Sequence, residues 1–293
     1  MKPWLLALTI GTKLLALYLI LCTPLVIAGW VLFFAAGGFV VLHLIHPRLQ
    51  GICDVQATFQ TSGKEVWLTI DDGPSEEDTP QILDLLDQFD AKATFFMIGE
   101  RAGRHPDLVS QVLSRNQEVG AHTFSHPLAT FWMAGPKRSR NEVERCVKTL
   151  RSLGANPRRF RSPVGIKSLW LRRILRENQL QCVAWSIRSG DTFARSVDEV
   201  VRRVLRKLRP GAILLLHEGT SLAPPIRIHA LRAILIALQQ QGYRCILPPT
   251  AFSESCHEVS PSPGNESAPR GALLSAKASR QPSSTQSPVR AER

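Results

Sequence analysis

Residues 65–74 read EVWLTIDDGP. From Val66 to Ile70 the run is apolar or β-branched on both alternating faces, the pattern of a strand covered on both sides. It ends in two adjacent carboxylates, Asp71 and Asp72, and then in the turn-forming pair Gly73-Pro74. Charge at the mouth of a buried strand is costly unless something there uses it.

Further runs of this kind recur downstream: ATFFMIG (93–99), EVGAH (118–122), RRFRSP (158–163), QCVAWSI (181–187), GAILLLH (211–217) and YRCILP (243–248). Helical patterns fill the gaps. TPQILDLLDQF places Thr79 as N-cap and Pro80 at the first helical position, with an apolar stripe through Ile82, Leu83, Leu85, Leu86 and Phe89. SVDEVVRRVLRKLRPG opens on Ser196 and Glu199, a capping box, and stripes Val200, Val201, Val204, Leu205 and Leu208. This stripe packs on the domain, the alternative being a basic helix lying on a membrane surface. Seven strands alternating with six helices imply parallel pairing through right-handed crossovers. No G-x-G-x-x-G follows the first strand, which weighs against a dinucleotide site. A parallel barrel collects its chemistry at the carboxyl ends of its strands.

The flanks differ from this middle region. Between residues 3 and 45, Lys13 is the single residue among Lys, Arg, Asp and Glu. The stretch is too long for a cleavable leader, whose apolar core spans roughly 7–15 residues. It fits two membrane spans, 4–22 and 25–45, turning at Thr23-Pro24. The rival is one span over 20–42 behind an interfacial segment holding Lys13. A hairpin puts the N-terminus and the globular domain on one side, with Lys2 and Arg48 favouring the cytoplasmic face; a single span puts the domain outside. Residues 1–47 are therefore read as an anchor in a membrane, of bacterial inner-membrane type, with the side left open. Residues 64–249 are read as the catalytic domain, and the Ser/Pro-rich stretch 250–293 as a disordered tail.

The net charge is +12, of which about +8 falls between residues 51 and 249. A basic domain beside a membrane suits anionic headgroups or a phosphate-bearing substrate. Nucleic acid is not expected, because basic and aromatic residues are not interleaved as a binding platform needs. The six cysteines form no C-x-x-C pair, and Cys182 and Cys245 fall in strand-like runs as buried thiols.

Five strand ends carry chemically capable residues. Asp71 and Asp72 follow the first strand, His122 and His126 the third, Arg161 the fourth, Asp191 the fifth and His217 the sixth. Each alone has a structural explanation, as a helix cap, a turn former or a surface residue. Their joint placement on one barrel face does not follow from those explanations. Two histidines four apart reach one ion from a single turn, and with one carboxylate they make a three-ligand set with open positions. Zn²⁺ is the first expectation for such a divalent-metal site. The second aspartate then stays free to take a proton from metal-activated water, and His217 is placed to protonate a leaving group.

Asp71-Asp72-Gly73-Pro74, His122-x-x-x-His126, Arg161-x-Pro163-x-Gly165, Trp185…Asp191 and Leu215-x-His217 resemble, in order and spacing, the five motifs of the polysaccharide deacetylases, carbohydrate esterase family four, over residues 64–249. The resemblance implies an α/β fold, a distorted (β/α)7 barrel of NodB-homology type, here behind N-terminal transmembrane helices. It implies metal-dependent removal of N-acetyl or other acyl groups from a carbohydrate or glycolipid. It assigns Asp71 as general base and Asp72, His122 and His126 as metal ligands. Arg161 pairs with the base, and Asp191 orients the general acid His217. Leu215 walls the acyl pocket, and the Val164 backbone N–H helps hold the oxyanion. The sequence departs from the family at Ile70, which replaces Phe, and at Val164, which replaces an aromatic residue. Arg188-Ser-Gly-Asp191-Thr also replaces Asp-x-x-Asp-Trp, which sets Arg188 near the cleft where it suits the phosphate of a lipid-linked sugar. Two other readings stay open: a deformylase or amidase acting on a polyprenyl-phosphate-linked amino sugar, and a non-catalytic carbohydrate-binding barrel.

Overall fold

A computed structural model describes residues 1–219 and 226–249. The tail reading over 250–293 lies outside the described residues. Two helices open the chain, α1 (Pro3–Cys22) and α2 (Val26–Ile45), joined by a tight turn and packed on each other. Both are long and apolar enough to cross a membrane, by length and composition. Of the two anchor readings, the turn and its two helices match the hairpin.

The rest of the described chain alternates strand and helix: β1 (Val55–Gln56), β2 (Glu65–Gly73), α3 (Asp78–Gln88), β3 (Ala93–Met97), α4 (Gly99–Arg104), α5 (Pro106–Ser114), β4 (Glu118–Ala121), α6 (Pro136–Ser152), β5 (Arg159–Phe160), α7 (Leu171–Glu177), β6 (Gln181–Val183), β7 (Ile187–Arg188), α8 (Val197–Leu205), β8 (Ala212–His217), α9 (Ile226–Gln240) and β9 (Arg244–Cys245). All strand ladders are parallel, in the order β1-β6-β5-β4-β3-β2-β8-β7, with β9 joining the start of β2. This is the curled, distorted barrel that the family resemblance implies, with the parallel strands expected from the alternation, and it aims every strand's carboxyl end the same way.

Three details differ from the sequence reading. The run 181–187 is two strands: β6 pairs with β5 and β1, the chain turns at Trp185, and β7 pairs with β8. One apolar run thus serves both edges of the curl, and periodicity alone carries no mark of the crossing. Helix α4 lies where a strand end was expected. Thr79 is no N-cap, since α3 begins at Asp78; the Thr79 hydroxyl instead accepts from Ser75 N and donates to Glu218. The capping box at Ser196 is formed, with Glu199 N donating to Ser196 Oγ at 3.3 Å. Val200 and Val204 of α8 are buried, so the stripe packs inward.

The core lies between sheet and helices around Trp67, Phe95, Phe96, Phe131 and Phe160, all fully buried. Each such side chain contributes about 1.5–3 kcal/mol relative to exposure. The hairpin's root joins this body through Leu5 and Leu44, which belong to the same apolar cluster.

Candidate active site

Strand β2 carries an irregularity that decides the site. Its register with β3 runs Asp71↔Phe96 and then Gly73↔Met97, so Asp72 is an extra residue, a β-bulge, with φ at 74°. In a regular strand, neighbours point to opposite faces. The bulge rotates Asp72 so that both carboxylates reach one cleft. Asp72 Oδ1 lies 3.4 Å from His122 Nε2 and 3.1 Å from His126 Nε2, while Asp71 Oδ2 lies 3.9 Å from His122 Nε2.

The histidines sit on the loop leaving β4. Left-handed backbone at Thr123 (φ 63°) and His126 (φ 55°) winds this loop tightly enough for both rings to converge, with centroids 4.9 Å apart. Such conformations cost of order 1–3 kcal/mol and persist where surrounding contacts impose them. Glu142, reaching in from α6, is one such contact. Its carboxylate accepts from Phe124 N, Ser125 N and Ser125 Oγ at 3.0, 2.9 and 2.7 Å.

His122 Nδ1 donates to the Arg161 carbonyl at 2.8 Å, which leaves the Nε2 lone pair facing Asp72. A lone pair turned toward a carboxylate oxygen calls for a cation between them. Asp72, His122 and His126 form the metal-type donor set among the described residues, their ligand atoms all within 4.8 Å of one another. The separations fit donors about 2.0–2.2 Å from one ion. Burial pushes the Asp72 carboxyl up, but the adjoining His122 and His126 rings outweigh it and hold it well below the carboxylate range. Burial lowers the His126 pKa, which favours the neutral ring that a metal needs.

Arg161 is fully buried and pinned on every side. Its guanidinium donates to Asp71 Oδ1 (2.7 Å), Thr69 Oγ1 (2.8 Å), Ala184 O (3.0 Å) and Val183 O (3.3 Å), and it lies over the Phe96 ring. Asp71 is thus held through one oxygen, leaving the other toward the cleft. Burial lowers the Arg161 pKa, and Asp71 offsets part of that.

Across the cleft, His217 ends β8. Its Nδ1 donates to Asp191 Oδ1 at 2.9 Å, and its backbone N–H donates to Asp191 Oδ2 at 2.7 Å. Ser189 Oγ donates to the same carboxylate, which is buried. Burial lowers the His217 pKa, but the Asp191 hydrogen bond and charge outweigh it and raise it above the ordinary imidazole value. Val164 (φ 49°) and Leu215 line the same cavity of about 510 Å³, as do Arg188 and Trp185. A β-branched residue in the left-handed region is an outlier, and here it sits on the cavity wall. Every site residue expected from the sequence therefore falls in or directly behind this one cavity.

Sequence reasoning missed several participants. Arg101 Nη1 donates to the carbonyls of Asp72 (2.6 Å) and Gly219 (2.9 Å) and so holds the bulge. Glu142 looks in sequence like its solvated neighbour Glu144. Glu218 is fully buried behind Asp72, and burial raises its pKa to about 8. Phe193, two residues after Asp191, lines the cavity and is 69% exposed. An aromatic face is therefore present, displaced by one residue from the position after Asp191, where Thr192 stands.

Comparison with known proteins settles the family. The model of the polysaccharide deacetylase family matches residues 59–183. A peptidoglycan-N-acetylglucosamine deacetylase of Bacillus cereus is 36% identical over 185 residues, 62% of this chain and 85% of the relative. The chain belongs to the polysaccharide deacetylase family. A chitooligosaccharide deacetylase of Bradyrhizobium is 35% identical over 61% of this chain and 87% of its own length. The solved Bc1960 peptidoglycan N-acetylglucosamine deacetylase superposes with a TM-score of 0.62 at 30% identity, covering 66% of this chain and 89% of that one. This polysaccharide deacetylase is accordingly a hydrolase of the class that cleaves carbon–nitrogen bonds other than peptide bonds.

Proposed function

We propose that the protein removes N-acetyl groups from an acylated glycan, with a divalent cation, Zn²⁺ first, held by Asp72, His122 and His126. The observation that carries the reading is the donor set itself: two imidazole Nε2 atoms facing one carboxylate oxygen, with a second carboxylate and a histidine beside it. When bound, such an ion supplies Lewis acidity, polarising the acyl oxygen and acidifying water.

The chain's own residues do the proton work. Asp71, paired with Arg161 through one oxygen, accepts a proton at the oxygen that Arg161 does not occupy. His217, whose pKa Asp191 raises, donates from Nε2 to the leaving amine. Leu215 walls the acyl group, Trp185 and Phe193 offer apolar faces to the sugar, and the Val164 N–H supplements oxyanion binding. The hairpin of α1 and α2 serves as an anchor in a bacterial membrane. An intact ligand set, base and acid weigh against a non-catalytic binding barrel. A deformylase acting on a lipid-linked amino sugar uses the same residues, and Arg188 on the cleft wall favours keeping that reading.

The test is acyl release from a chitooligosaccharide by the purified protein. Acetate appears with zinc, stops on chelation and returns on zinc addition. Formate release from a formylated amino sugar, with no acetate from its acetylated counterpart, supports the deformylase. No release in either case overturns the hydrolase reading.

A further inference from the structure

Three features converge at the carboxyl ends of the strands. The first is the root of the apolar hairpin. Lys167 N donates to Leu44 O at 2.8 Å, and its ammonium donates to His46 O at 2.6 Å. Arg48 donates to Trp185 O and Ser186 O, both at 2.9 Å, and the Met1 amino group to Leu169 O at 2.9 Å. Gly165 (φ 74°) has Pro47 so close that a Cβ there would lie 2.5 Å from the ring. These contacts fall on the two loops that supply Val164 and Trp185 to the cleft. The apolar helices therefore leave and re-enter the body next to the mouth of the site.

The second is an apolar rim. Outside the hairpin, seven large apolar side chains are exposed among the described residues. Six of them (Leu128, Met133, Val164, Leu169, Trp170 and Phe193) lie on loops leaving strand carboxyl ends. Single exposed hydrophobes are ordinary, but their concentration beside two span-length helices marks a membrane-facing surface.

The third is a cavity of about 260 Å³ lined by Arg188, Gly190, Phe193, Arg203, Arg206 and Lys207, with no carboxylate in its wall. It shares Arg188 and Phe193 with the catalytic cleft. Arg203 pairs with Glu199 and lies over Gly190 (φ 75°), where any side chain would collide with its guanidinium. Arg188 is held over the Phe193 ring at 5.4 Å. Arg188, Arg206 and Lys207 have no carboxylate partner among the described residues. Three uncompensated cations around so small a space exceed what a neutral sugar or one carboxylate needs, and guanidinium forks match phosphate oxygens.

We propose that the acyl sugar is carried on a membrane lipid through a phosphate or diphosphate. The cavity of Arg188, Arg206 and Lys207 holds that phosphate while the acyl group lies in the neighbouring cleft and the hydrocarbon stays in the bilayer under the apolar rim. The inference rests on the hydrolase reading above and narrows its substrate. The cationic wall recognises the phosphate and the rim recognises the bilayer, so each part of the substrate meets matching chemistry.

The test uses the full-length, zinc-loaded protein in phosphatidylcholine nanodiscs. A polyprenyl diphosphate bearing N-acetylglucosamine is placed in the disc, and a chitooligosaccharide is supplied in solution. The expected result is a kcat/KM for the lipid-linked sugar at least about tenfold higher. The Arg206→Glu, Lys207→Glu double substitution reduces that preference about tenfold or more. Oligosaccharide turnover by the same preparation normalises for folding. In a second arm, phosphatidylglycerol replaces half the disc lipid, and the preference persists. Loss of the preference in that arm assigns the cavity to phospholipid headgroups and overturns the inference. So does turnover of the oligosaccharide with none of the lipid-linked sugar. Acetate from neither substrate overturns the deacetylase reading as well.

Discussion

Asp71 and His217 are register partners on the adjacent parallel strands β2 and β8. The proposed base and acid are therefore fixed by one backbone ladder rather than by flexible loops. Each is steadied from outside that ladder, Asp71 by Arg161 and His217 by Asp191.

The first consequence concerns pH. A raised His217 pKa extends the protonated acid to higher pH, and its activity is lost as pH rises through that elevated value. Asp191→Asn removes the charge that raises it. The basic limb of the kcat/KM profile then moves to lower pH, and the rate at the optimum falls by about 100-fold or more. A pH–rate profile of both proteins checks this; an unmoved basic limb contradicts the assignment.

Glu142 predicts an effect on metal affinity without touching the ligands. It anchors Phe124 N and Ser125 N, the turn between His122 and His126. Glu142→Ala loosens that turn and weakens zinc binding by about 10–100-fold, the usual cost of losing such a support. Chelator competition measures it, and circular dichroism confirms that the barrel persists.

The bulge at Asp72 is what the sequence leaves unreadable. Residues 65–71 show a strand and two carboxylates, but alternation would send those carboxylates to opposite faces. Only the positive φ at Asp72 and the register slip against β3 bring them together. The strand-end residues were legible because parallel topology gathers them at one end. Glu142, Arg101 and Glu218 were not, because a buried carboxylate or guanidinium reads in sequence like a solvated one. The split of 181–187 into β6 and β7 was hidden for a related reason: both pieces are apolar, and only the partners they pair with differ.

Glu218 predicts a stability change with a definite sign. Its folded pKa is raised to about 8, against an ordinary 4.5. Between those values the folded protein keeps a proton that the unfolded chain has released, so stability falls as pH rises through that window. Glu218→Gln mimics the protonated form and keeps an acceptor for Thr79. It raises stability on the order of 1–3 kcal/mol near pH 7 and flattens the pH dependence. Thermal melts from pH 4.5 to pH 8 show this as a difference in Tm that grows with pH.

Arg161→Ala leaves the Asp71 carboxylate buried without its partner. Breaking such a pair costs about 3–5 kcal/mol. Denaturant unfolding measures the loss, and turnover falls along with it.

The central claim is that the bulge gives two adjacent aspartates different tasks. The most direct measurement is zinc content and acetate release for Asp71→Asn and Asp72→Ala, side by side with the unaltered protein. Asp71→Asn should keep about one zinc per chain and lose turnover, while Asp72→Ala should lose both. Loss of zinc from Asp71→Asn, or undiminished turnover in Asp72→Ala, would contradict that division.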